Sequence, residues 1–207
     1  MKKFELTSET KINIFGKKLF RIKALISFGN VEAGETGGWV EKEENVNQSG
    51  DAWVSGNAMV YGNAEVSGNA RVSGNARVSG DAWVSGNARV SGNAEVSGDA
   101  MVSGNAEVSG NAEVSGNAEV YGNAEVYGNA EVSGNADYTT IRGFGTQFRT
   151  TTFFRCKDKQ VKVSCGCFYG TIPEFREQVK NTRKGKIAEE YLMIADLMEK
   201  HFAEEAK

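Results

Sequence analysis

Few residues in this 207-residue chain have the type and spacing that chemistry requires. His201 is its one histidine, the residue best suited to act as a general base near neutral pH. It falls near the end of a helical pattern, where the helix dipole favours a basic side chain. Cys156, Cys165 and Cys167 suggest a soft-metal site, since alternation puts Cys165 and Cys167 on the same side of an extended chain. Zinc wants four ligands and more often uses CxxC than CxC spacing, and no fourth ligand is evident. Buried structural thiols, with no metal and no other cofactor, are therefore expected. Arg142, Arg149, Arg155, Lys157 and Lys162 form a basic set that can offer charge to the phosphates of a small ligand, or simply a solvated surface. No P-loop, GxGxxG, nucleophile elbow or HExxH motif occurs, and no catalytic residue is assigned.

A hexapeptide, VSGNAE with small changes, must position whatever else acts. Alanine recurs at every sixth position from Ala52 to Ala136, and valine from Val54 to Val132, with no insertion. A fixed short period marks a stacked repeat. Ala-x-Val makes a short strand with two inward side chains and one outward. Ser-Gly-Asn supplies a corner, because Gly and Asn tolerate positive φ. Three strands per coil give 18 residues per turn, so the expected fold is mainly β. It is a triangular parallel β-helix of about five coils, about 24 Å tall at strand spacing.

The outward slots stack in threes. One face reads Trp53, Arg71, Arg89, Glu107, Glu125. The second reads Met59, Arg77, Glu95, Glu113, Glu131. The third reads Glu65, Trp83, Met101, Glu119, Asp137. Trp83 stacked with Met101 is expected as an exposed interface anchor, whereas Trp53, Met59 and Tyr61 are expected against an N-terminal cap. Glu107, Glu113, Glu119, Glu125, Glu131 and Asp137 form an acidic collar. Stacked like charges repel, so stability alone does not select it. The collar keeps the surface soluble, receives a basic partner, or pairs with the chain's own C-terminal part.

Three segments follow from this: residues 1–50 as a β cap with an irregular first coil, 51–137 as the prism, and 138–207 as a ββαα domain. In the first, Lys11 to Phe15 and Leu19 to Ile26 read as strands around Gly16-Lys17-Lys18, and Gly34 to Gly38 as a loop. Trp39-Val40 and Val46 have the hexapeptide spacing but are two residues out of register with Val54. In the last, Gln147 to Cys156 and Val161 to Cys165 form a hairpin around Lys157 to Gln160. Pairing Cys156 with Val161 puts Phe154, Cys156, Val161, Val163 and Cys165 on one face. Thr171 and Glu174 form a capping box that starts a helix ending near Asn181. A second helix runs from about Lys186 to Ala203, with Ile187, Tyr191, Ile194, Met198 and Phe202 as its buried stripe.

Formal net charge is −3, but its distribution is uneven. Residues 51–137 carry 3 Arg against 11 Asp/Glu, and 138–207 carry 13 Lys/Arg against 9 Asp/Glu. No apolar run approaches membrane-helix length and no signal-peptide h-region opens the chain, so a cytoplasmic location is expected.

The aliphatic residue followed four positions later by a small one, as in Val54 and Ala58, resembles the hexapeptide acyltransferase superfamily, which implies that the parallel β-helix is left-handed. That resemblance implies a histidine base beside the coils and a loop inserted between repeats. This chain has neither: His201 lies far from the coils in sequence, and its repeats run without insertion. The stretches LFRIKALISFGNVEAGETGGWVEKEENV and TTTFFRCKDKQVKVSCGCFYGTIPEF are similar to small phage- and prophage-encoded hexapeptide-repeat proteins with a C-terminal CGCF domain. This implies a viral or prophage origin. Hexapeptide prisms commonly trimerise and Trp83 with Met101 suits a threefold contact, so a homo-oligomer, with a trimer favoured, is expected. The function expected is a non-enzymatic binding protein that engages or sequesters a host protein or a nucleotide signal, in the manner of a counter-defence inhibitor. A structural scaffold and an atypical acyltransferase are the alternatives. Direct nucleic-acid binding and membrane association are not expected.

Overall fold

The structure, a computed structural model, describes residues 2–203. Its centre is a parallel β-solenoid of fourteen two-residue strands, from Trp53–Val54 to Glu131–Val132, one every six residues. They stack at 18-residue intervals into three sheets, one per face of the prism. Every repeat Ala and Val from Ala52 to Val132 is buried, which makes one continuous core. The backbone closes each coil onto the next, as in Trp83 N–H to Ala100 O and Ser85 N–H to Val102 O, both 2.9 Å. The corner glycines sit at φ between +59° and +73°, where L side chains are strained. At Gly98 a Cβ would also lie 3.0 Å from the Gly116 nitrogen and oxygen. Corner asparagines stack as amide ladders, for example Asn69 to Asn87 and Asn87 to Asn105 at 3.0 Å.

The bottom is closed by an antiparallel sheet, β1 (Phe4–Ile12), β2 (Lys18–Ala24) and β3 (Thr36–Val40), continuous with one prism face. The irregular first coil is present. Val40 pairs with Val60 and Val46 with Val66, offsets of 20 rather than 18 residues. The two extra residues fall in the corner before Val54, and that corner holds the N-terminus. Gln48 Oε1 accepts from the Lys3 and Phe4 amides at 2.7 and 3.3 Å, and its amide donates to Phe4 O at 3.1 Å. Trp53 is 1% exposed, edge-on to Phe4 and Phe28. Two expectations are corrected. The first strand begins at Phe4 and ends at Ile12, and Thr36 to Gly38 is strand rather than loop. Gly37 and Gly38 are there because any Cβ would strike Ile22, Trp53 or Val54.

At the top, four antiparallel strands replace the expected two: β4 (Tyr138–Phe144), β5 (Arg149–Arg155), β6 (Val161–Cys165) and β7 (Phe168–Thr171). Arg155, not Cys156, pairs with Val161. The loop is the three residues Lys157 to Lys159, with Lys159 left-handed at φ +63° and Cys156 N–H bonded to Gln160 O at 2.9 Å. This shift of register moves side chains between faces. Phe154, Cys156 and Tyr138 close the solenoid core, whereas Phe153, Val161, Val163 and Cys165 pack under the helices. The helices are α1 (Ile172–Thr182) and α2 (Gly185–His201). Thr171 and Glu174 make the capping box, with the Thr171 amide donating to Glu174 Oε2 at 2.7 Å. Tyr191, Ile194, Met198 and Phe202 are buried. Among the described residues no helix is long and apolar enough to cross a membrane.

Candidate functional site

The outward slots form three ladders in parallel register. Trp83 lies directly over Glu65, Met101 over Trp83, and Glu119 over Met101. Trp83 is 46% exposed and Met101 37%, against 1% for Trp53, which the cap covers. The Trp83 indole N–H donates to Ser67 Oγ at 2.9 Å, which fixes the ring on a rigid sheet. An aromatic and a thioether presented in this way, with a carboxylate above and below, suit an interface anchor. On the other two faces Arg77 meets Glu95 at 2.6 Å and Arg89 meets Glu107 at 3.7 Å.

The acidic collar is distributed differently from a free ladder. Glu113 pairs with Lys157, and Glu131 with Lys159 at 3.7 Å. Glu125 accepts from Ser164 Oγ at 2.7 Å. The carboxylates of three of its five glutamates thus meet the chain's own C-terminal domain. Exposed pairs of this kind contribute about 0–1 kcal/mol each, so they orient the domain more than they stabilise it. Asp137 leaves the ladder. It folds back in a short 3₁₀ turn, accepts from the Ser133 and Gly134 amides at 3.0 Å, and pairs with Arg155 at 3.4 Å. The expected stacking of Asp137 above Glu119 is therefore corrected: the coil ends there because β4 turns across the top. The Tyr138 hydroxyl donates to Glu119 O, and burial pushes its pKa up to about 12.

The basic set does not converge on one point. Arg155 is held by Asp137 and by Phe202 O at 2.9 Å, and Lys157 by Glu113. Lys162 sits on β6 opposite Phe154. Arg142 and Arg149 share a shallow cleft beside Glu125. The cysteines also differ from expectation. Cys156 alone is buried, its thiol pushed up to about 11 by desolvation. Cys165 is half-buried and Cys167 exposed, because Gly166-Cys167 forms a two-residue hairpin turn with Gly166 at φ +62°. That turn breaks the alternation on which the pairing of Cys165 and Cys167 rested. His201 ends α2 with its ring against Phe202 at 5.0 Å.

A family model for the YdcK β-solenoid repeat matches residues 52–68, 64–80 and 70–86. No curated protein matches the chain. Repeat and architecture together make this a β-solenoid repeat protein.

Proposed function

We propose that this is a non-enzymatic binding protein that engages a host factor through the prism face carrying Trp83 and Met101. The observation behind it is that exposed pair, set in parallel register on a rigid sheet and flanked by Glu65 and Glu119. Every other tryptophan of the chain is covered by the N-terminal cap: Trp53 and Trp39 are buried. A solenoid that needed no recognition would gain nothing from an uncovered indole and would risk aggregation. The resemblance to phage and prophage hexapeptide proteins supports a viral origin, an antagonist's role toward a host defence pathway and action in the host cytoplasm. The hexapeptide prism and the exposed patch also support self-association as a trimer, the second function the same patch can serve. Affinity capture from bacterial lysate, with the wild type beside Trp83→Glu, tests the proposal. A specific protein should be recovered by the wild type and lost by the variant. Equal recovery would sink it. The molecular mass of both proteins in solution separates the second function: a trimer that dissociates on Trp83→Glu assigns the patch to self-assembly.

A further inference from the structure

The C-terminal domain holds a cavity of about 430 Å³ that plays no part in the Trp83 face. It lies between the turn joining β6 to β7 and the C-terminal end of α1. Arg149, the first residue of β5, and Arg183, the residue after α1, both line it. Among the described residues neither arginine pairs with a carboxylate, and no Asp or Glu lines the cavity. Phe168, Phe175 and Tyr191 give aromatic walls, and Gln178 adds an amide that both donates and accepts. The Tyr191 phenol is raised first by burial, while the Arg183 and Arg149 cations oppose the rise. Both guanidiniums therefore lie within electrostatic reach of one hydroxyl, itself anchored to Phe144 O at 3.2 Å.

Two planar forks with no carboxylate partner, Arg183 donating only to Thr182 O at 3.3 Å, match the oxygens of a phosphate. Aromatic faces stack on a base, and an amide suits a base edge. The volume is in the lower part of the ~300–1,000 Å³ range of ligand pockets, right for one nucleotide rather than a strand. We infer that this cavity binds a nucleoside monophosphate, with Arg149 and Arg183 on the phosphate and the aromatic wall on the base.

Titration calorimetry of the full chain with AMP, GMP, CMP and UMP tests this, with inorganic phosphate and adenosine as controls. At least one mononucleotide should bind, and tenfold or more tighter than phosphate or adenosine alone. Arg149→Gln and Arg183→Gln, both at exposed positions, should each weaken it tenfold or more with an unchanged melting temperature. Trp83→Glu should leave it unchanged, which separates this site from the prism face. Cys167 lines the same cavity and is exposed, so alkylation by iodoacetamide should slow severalfold when the nucleotide is saturating. Absence of binding by all four nucleotides would overturn the inference. So would phosphate binding as tightly as nucleotide, or binding that survives both substitutions, or Cys167 alkylation that the bound nucleotide leaves unprotected.

Discussion

Removing residues 81–98 takes out one whole coil and tests whether the prism is a spacer or an organised face. The deletion joins Gly80 to Asp99 and preserves the Ser-Gly-Asp-Ala corner. It removes Trp83, Arg89 and Glu95 from the surface and Ala82, Val84, Ala88, Val90, Ala94 and Val96 from the core. Nine inter-coil N–H to O=C bonds, from Asp81 N to Ser97 N, disappear at 2.7–2.9 Å. The coil below then meets Met101, Glu107 and Glu113 in the same register. Glu65 faces Met101, Arg71 faces Glu107 and Arg77 faces Glu113, so no like charges are brought together. Because each coil contacts only its neighbours, the shortened prism should fold cooperatively. With 18 of 207 residues gone, its urea m-value should fall by roughly 9%. Reversible urea unfolding followed by circular dichroism measures this, and affinity capture measures the partner. A folded variant that no longer captures the partner fits a recognition face. Loss of cooperative unfolding would refute the coil-by-coil account of stability, and undiminished capture by a folded variant would make the prism a spacer.

Other perturbations separate fold from function. Trp83→Ala removes a half-exposed ring and one hydrogen bond, so it should cost only about 1 kcal/mol in chemical denaturation, while partner affinity drops tenfold or more. Phe154→Ala uncaps the top of the solenoid core, where Phe154 is fully buried beside Tyr127 and Tyr169, and should cost about 3–5 kcal/mol by the same measurement. Lys3 is buried, with its ammonium on Gly50 O and Ala52 O at 3.2 and 2.9 Å, and desolvation lowers its pKa to about 8. The unfolded chain keeps that proton to about 10.5, so this group adds stability as pH rises from 8 to 10.5, by about 3 kcal/mol at most. Cys156, raised to about 11 from 9, acts in the opposite sense above pH 9. The stability of the wild type relative to Lys3→Met, measured from pH 7 to 10.5, should therefore climb; a flat difference would show that the carbonyls and the Phe28 ring, whose centroid lies 4.9 Å from the ammonium, hold the charge.

The prism was legible residue by residue, because an uninterrupted period leaves no freedom in which side chain faces out. Met101 over Trp83 and Glu95 over Arg77 follow from the 18-residue step alone. The caps were harder for physical reasons. Residues 5–11 have few apolar side chains and little burial, so no alternating pattern marks β1. Tyr138–Phe144 is rich in Thr, and Phe168–Thr171 is four residues with a glycine, too short to stand out. The hairpin slipped because a left-handed Lys159 is not written in the residue type. The opposite charges of the prism and the last segment hinted at Glu113 with Lys157 and Glu131 with Lys159, but the partners could be chosen only once β5 lay across the top coil. The cavity draws on β5, the β6–β7 turn and both helices, and no local motif joins Arg149 to Arg183.

Site-specific photocrosslinking in cells of the proposed bacterial host addresses recognition by the prism face most directly. A photoreactive amino acid would replace in turn Trp83, Met101, Arg77 and Glu95, which place the probe on two different faces at similar height. One partner protein should be captured from positions 83 and 101 and not from 77 and 95. Equal capture from all four, or capture from 77 and 95 alone, would contradict the assignment of that face.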